Sequence, residues 1–291
     1  MEPDAMRSLW VVLGFGATVL VLGLPLWPAW REMHHPSDVK PLPLPSAVAI
    51  GGANLQRQGA ELWPPFDDSQ VADELIVRSG DRRHEVDHPG DVIVEAGAQI
   101  DSVLRARRVH CDGARLPRMV HATTAIDLGA GSLFCTLSAP VIRTEVRGED
   151  RQRENRAEPS CADALNPPRH CHAGDFELPA STTLVADLVV QGSLTLGQDS
   201  ILTGNVKVHG DAELLAGAAL VGALFVQGSV HCHGNNRLSG PVAAGKRVWL
   251  GPDCVVGKAD AKASVSAWDV RLDHDVTVFG RIACVEAGEA L

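Results

Sequence analysis

"ILTGNVKVHGDAELLAGAALVGALFVQG", residues 201–228, places glycines at 204, 210, 217, 222 and 228 and a Leu or Val at every sixth position between them. Counting by six from Leu184 reaches Val190, Leu196, Leu202, Val208, Leu214, Leu220, Val226, Cys232, Leu238, Ala244, Leu250 and Val256. Each of these thirteen positions is aliphatic or small. Four residues after the in-phase positions runs a second set, Val206, Ala212, Ala218, Leu224, Val230, Val242, Val248 and Cys254, with Ser200 and Asn236 as polar exceptions. In extended chain, alternation turns both sets to one side, inward. Gly204, Gly222, Gly240 and Gly257 recur at intervals of 18, 18 and 17. Three hexads therefore make one coil, with glycine at corners where the backbone turns sharply against its neighbour.

The expected fold is all-β: a parallel β-helix, a three-sided β-solenoid with coils of about 18 residues. Its inward columns are Leu196, Leu214, Cys232 and Leu250; Leu202, Leu220, Leu238 and Val256; and Val208, Val226 and Ala244. A single coil buries too little apolar surface to offset the entropy of ordering it, so coils must stack. No stretch after residue 31 sustains a helical period with caps.

At 291 residues, 45% apolar and 21% charged, the chain has the composition of a protein that buries a core. A formal charge of −10 offers no basic face to a phosphate backbone. The Arg-rich run at 147–156 is interleaved with Glu149, Asp150 and Glu154, so nucleic acid is not an expected partner.

Residues 8–30, "SLWVVLGFGATVLVLGLPLWPAW", carry no charge. As a helix they extend about 35 Å, enough to cross the hydrocarbon of a bilayer. Trp10, Trp27 and Trp30 suit the interfacial belts. The run is longer than a signal-peptide core and no small-x-small site follows it closely, which favours an uncleaved anchor. Arg7 on one side and Arg31 and Lys40 on the other leave orientation open. Residues 34–46, "HHPSDVKPLPLPS", hold four prolines and read as an extended spacer. The expected organisation is an anchor at 1–31, a Pro-rich spacer at 32–69, irregular solenoid rungs at 70–146, a charged and Pro-rich insertion at 147–175, and the regular solenoid at 176–291.

The text "ALFVQGSVHCHGNNRLSGPVAAGKRVWLGPDCVVG" (223–257), followed by "WDVRLDHDVTVFGRI" (268–282), resembles the bactofilin family of polymer-forming bacterial cytoskeletal proteins. The resemblance covers 184–285 well and 91–142 loosely. It implies a β-helix that assembles end to end, without nucleotide, into filaments that scaffold other proteins at a membrane. Phe279 falls where the family has a Phe near the end of its core. The full membrane span, the upstream β region and the 147–175 insertion depart from the family's simplest pattern.

From these features we expect a membrane-anchored scaffold of the bacterial inner membrane that takes no cofactor, has no enzymatic activity, and has itself and recruited proteins as partners. Unpaired core cysteines and the family resemblance favour the cytoplasmic face for the soluble domain, with the side not resolved by the flanking charges. The last β phrases finish close to Leu291, so an open C-terminal rung is expected to join copies, with Val278 and Phe279 at the contact.

The rival expectation is a hexapeptide-repeat acyltransferase, in which a groove histidine serves as general base while CoA lies along the coil. Its candidates are His209, His231, His233 and His274. His231 and His233 flank inward Cys232 and face solvent, with Glu213 one coil below His231, but no acidic orienter adjoins them in sequence. Exposed solenoid histidines are more often plain surface than a catalytic base or a weak metal site. Cys232 and Cys254 read as core hydrophobes. Cys161 and Cys171, with His170 and His172 beside the second, lack zinc-finger pitch and read as a loop disulfide or as free thiols. Asp67 with Asp68, and Asp273 with Asp275, read as solvated turns before they read as cation sites. No Walker loop, dinucleotide fingerprint, nucleophile elbow or H-E-x-x-H helix is present.

Overall fold

The computed structural model describes residues 74–145 and 167–291. The apolar segment at 8–30, the spacer, Cys161 and most of the insertion lie outside them. Among the described residues there is no helix, and so none long and apolar enough to cross a membrane. The chain forms a parallel β-solenoid of about eleven turns.

Regular coils occupy the C-terminal part and present three faces. One face stacks β7 (Phe176–Leu178), β10 (Leu194–Leu196), β13 (Ala212–Leu214), β16 (Val230–Cys232) and β19 (Arg247–Leu250) in parallel register. The second stacks β8 (Thr183–Val185), β11 (Ile201–Thr203), β14 (Ala219–Val221), β17 (Arg237–Leu238) and β20 (Val255–Val256). The third stacks β6 (Arg169–His172), β9 (Asp187–Val190), β12 (Val206–Val208), β15 (Leu224–Val226) and β18 (Val242–Ala244). Partners such as Leu202↔Leu220 and Leu220↔Leu238 lie 18 residues apart. Hexad positions from Val190 to Val256 are buried, apart from partly covered Ala244.

Polar corner residues bind the next coil at the same interval. The Asp187 carboxylate accepts from the Asn205 backbone N–H at 2.7 Å, and the Asn205 side-chain oxygen accepts from that of Ala223 at 3.2 Å. At another corner Asp175 accepts from Ser193 N–H and Asp211 from Ser229 N–H, each at 2.7 Å. Buried Asn236 donates to the carbonyls of Leu215 and Ala218 and accepts from Gly234 N–H, which explains a polar residue in an inward phase.

Glycine is required at the corner shared by Gly204 and Gly222. Gly222 has φ +144°, and a Cβ on it would lie 2.2 Å from the carbonyl oxygen of Gly204. Gly222→Ala should therefore cost more than the about 1–3 kcal/mol of the backbone conformation alone. Urea unfolding monitored by circular dichroism will test this, and a change under about 0.5 kcal/mol would contradict it.

The N-terminal part coils less evenly. Long strands β2 (Arg82–Val94), β3 (Gln99–Cys111), β4 (Met119–Leu128) and β5 (Leu133–Thr144) pair in parallel, preceded by short β1 (Leu75–Val77) on β2. Register shifts occur in each long pair, which is why no strict period is visible in this part of the sequence.

The two parts meet at their C-terminal ends. The last turn of the regular part is β21 (Ala263–Leu272) followed by β22 (Thr277–Ala290), parallel to each other. Strand β22 then runs antiparallel along β5, pairing Thr277 with Arg143, Val278 with Ile142 and Ile282 with Leu137. Phe134, Leu137, Ile142, Val278 and Ile282 form the apolar layer between them, all buried. The Thr144 hydroxyl closes one side, donating to Asp273 O at 2.7 Å and accepting from Val276 N–H at 2.9 Å. Gly131 N–H donates to Ala290 O at 2.7 Å on the other. The expectation of an open C-terminal rung is thus corrected: β5 of the same chain satisfies its hydrogen bonds and covers its apolar layer. Val278 is fully buried at that junction and so is not presented to a second copy, while Phe279 beside it keeps partial exposure.

Candidate functional site

Outward positions on the first face form a ladder along the axis, because residues 18 apart stand directly above one another. Thr195, Glu213, His231 and Trp249 are consecutive members, followed by Arg271. The coil just after β16 adds His233, two residues beyond His231 and so on the same side of the chain. His233 Nε2 and Glu213 Oε1 are 2.7 Å apart. The His231 ring stacks on His233 at 4.4 Å between centroids and 13° between planes, and on Trp249 at 4.3 Å and 10°. His231 is thereby held between two rings, with Glu213 at one end of the cluster and the Trp249 indole at the other.

This arrangement supplies the acidic partner that adjacency in sequence does not. Register arithmetic stacks Glu213 beneath His231, as the ladder has it, yet the carboxylate hydrogen-bonds His233 across 20 positions. Of the remaining histidines, His274 bonds the neighbouring Asp273 through Nδ1 at 2.6 Å in the turn before β22. His209 follows β12 near a different corner. The acyltransferase candidates are therefore not brought together, except for His231 with His233.

Burial holds the His231 imidazole below its ordinary pKa, the His233 charge adds to this, and Glu213 opposes it. His121, half-buried on β4, is also lowered by burial and by the nearby Arg105 guanidinium. Folding thus favours the neutral form of both rings. As pH falls below the ordinary imidazole value of about 6.5 the unfolded chain takes up protons that the folded one resists. Stability should be full above that value and decline beneath it. Melting temperatures at pH 7.5 and 5.5 will check the trend. His121→Gln with His231→Gln should flatten it, and an unchanged slope would assign the acid loss elsewhere.

Burial withdraws Cys232 and Cys284 from nucleophilic chemistry. A hydrogen bond with Cys254 and complete burial push Cys232 well up. Burial and the neighbouring Cys135 push Cys284 up to about 12. Cys171 is an exposed free thiol in β6. A depression of about 60 Å³ beside Leu220 and Leu238, and an open groove of about 290 Å³ lined by Glu74, Asp91, Arg108, His110 and Asp127, are the best-formed hollows among the described residues. Both are smaller than the usual about 300–1,000 Å³ of a small-molecule pocket. Arg108–Asp127 and Arg107–Asp91 pairs at 2.9 Å occupy the polar groups along the groove.

Comparison with protein-family models, with curated proteins and with solved structures finds no match.

Proposed function

We propose that the protein is a membrane-tethered scaffold of the bacterial inner membrane that polymerises through the ends of its solenoid, with the bactofilin resemblance supplying the expectation and the covering of the end coils supplying its mechanism. The single observation that carries it is a gradient of burial within one column. Leu202, Leu220, Leu238 and Val256 are at most 1% exposed, whereas Leu184, the first member, is only partly buried. Phe176 and Leu75 are likewise partly buried at the head of their columns. Because the two C-terminal coils cover each other, the proposed contacts fall on the first described coils, bearing β1 at one and β6, β7 and β8 at the other. The β5–β22 junction supports this use of them: it shows that two terminal coils of this sequence match when they meet end to end. The apolar segment at 8–30 would concentrate copies on a membrane surface, and the long outward faces would hold recruited proteins.

Electron microscopy and light scattering of the full chain in detergent test this reading. Filaments or a concentration-dependent ladder of masses are expected, reduced to single chains or pairs by Phe176→Arg with Leu184→Arg. A closed oligomer of fixed mass in both proteins would overturn it. The Glu213–His233 contact favours one second reading, CoA-dependent acyl transfer with His233 as general base. That reading requires acetyl-CoA turnover that His233→Gln abolishes.

A further inference from the structure

We propose that Glu213, His231 and His233 form a surface site for a divalent transition-metal ion of the zinc class, independent of assembly. The three side chains offer two imidazole nitrogens and a carboxylate oxygen that all lie within 4.8 Å of one another. No other set of three or more such groups with this convergence occurs among the described residues. Imidazole nitrogen and carboxylate oxygen bind zinc at about 2.0–2.2 Å in tetrahedral geometry, which puts neighbouring ligand atoms about 3.4 Å apart. The widest separation here must close by at most about 1.4 Å, and the His233–Glu213 pair must open by about 0.7 Å to admit the ion. Rotation of the exposed Glu213 and His233 side chains and of the partly buried His231 ring supplies both movements.

The coils bring the donors near that spacing, and side-chain rotation completes it. His231 and His233 are two apart on one strand direction and point to the same side, and Glu213 stands on the adjacent strand of the ladder. Trp249, stacked on His231 from the coil beyond, restricts its ring to one plane. Coordination turns the His231 ring out of its stack on His233 and Trp249, because two parallel rings cannot both hold one ion in their planes. Both rings bind the ion as neutral imidazoles. Two imidazoles with one carboxylate select zinc, copper or nickel over magnesium or calcium, which prefer all-oxygen sets. Three protein ligands leave a fourth position open on the outward face, where water or a donor from another molecule completes the set.

The test uses the full chain in detergent, freed of any histidine tag, titrated at pH 7.5 with zinc sulfate by calorimetry. Other histidines, including His170 and His172 in β6, can contribute weak binding, so the readout is the difference between proteins. His231→Ala with His233→Ala should lose one equivalent of zinc. Glu213→Gln, at an exposed position, should keep the stoichiometry and weaken the affinity by about tenfold or more, the loss typical even of groups that only support the ligands. Nickel should quench the fluorescence of the wild-type protein and quench Trp249→Phe less, while magnesium should do neither. Equal zinc stoichiometry and affinity in the wild type and the double variant would overturn the site. So would nickel quenching that is unchanged in Trp249→Phe. Each protein's circular dichroism must match that of the wild type, and His233→Gln alone, altering an exposed ring, serves if the double variant misfolds. Filament formation is scored on the same samples, so loss of zinc without loss of assembly separates this site from the scaffold reading.

Discussion

Leu220→Asp is expected to unfold the regular coils or lower their stability by at least about 4 kcal/mol, whereas Gln227→Asp, seven residues away, leaves stability within about 0.5 kcal/mol. Leu220 is 1% exposed and sits in the middle of its column, with Leu202 below and Leu238 above. A carboxylate there lacks a cationic or hydrogen-bonding partner, so it either ionises in an apolar layer or holds its proton at the cost of a large pKa rise. Truncating the leucine adds the loss of contacts to both neighbours, which in close-packed cores costs about 2–5 kcal/mol by itself. Coils are coupled only to their neighbours, so the damage spreads along the stack as lost interfaces above and below. Gln227 is exposed and its backbone N–H bonds Val208 O, a contact the substitution preserves. Thermal unfolding of both variants decides the matter, and equal melting temperatures would show the inward phase to be misplaced.

The regular coils were legible because each residue's environment repeats. An inward position at Leu202 is inward again at Leu220 and Leu238 for the same steric reason, and thirteen repetitions leave no second phase. The period ends where the sequence inserts residues: Val242 pairs with Val265 and Val248 with Val270, 23 and 22 positions on, after the "KADAKA" stretch at 258–263. Residues 75–144 repeat at 16 to 18 with shifts inside the strands, which blurs any count. The contact between Glu213 and His233 was half legible. Stepping by 18 gives the Glu213–His231–Trp249 column, and alternation puts His233 beside it, but the bond spans both steps at once. Sequence gave no sign at all of β22 on β5, since antiparallel partners more than 130 positions apart share no period. The open C-terminal rung was inferred from the absence of a following cap, when the cap lies earlier in the chain.

That junction carries the second large effect: Gly288→Val should separate the two solenoid parts and expose their terminal layers. Gly288 lies in β22 opposite Phe134 of β5, and a Cβ built on it would fall 2.1 Å from Phe134 Cε2 and 2.5 Å from Cδ2. Phe134 is 2% exposed and among the largest fully enclosed side chains, so its ring has no vacant space to enter. Overpacking of this kind costs about 1–3 kcal/mol when neighbours can shift. Here the atoms met are those of the enclosed Phe134 ring, so the relief available is displacement of that ring with rupture of the antiparallel ladder around it. Phe134→Ala removes the collision but leaves a cavity worth about 3–5 kcal/mol. Combining the two should recover much of either loss, because valine then fills part of the space the ring vacates. Hydrogen exchange of the amides that cross the junction, Thr144 to Val276 O, Gly131 to Ala290 O and Ala290 to Ser132 O, reads the separation directly. In Gly288→Val these amides should exchange as freely as local loops while amides between the central coils, such as Gly204 to Val221 O, remain protected. If polymerisation uses open solenoid ends, the same variant creates two more of them, and branched or irregular assemblies should replace straight ones. Protection at the junction equal to that of the wild type would mean that β22 and β5 do not depend on Gly288 for their approach.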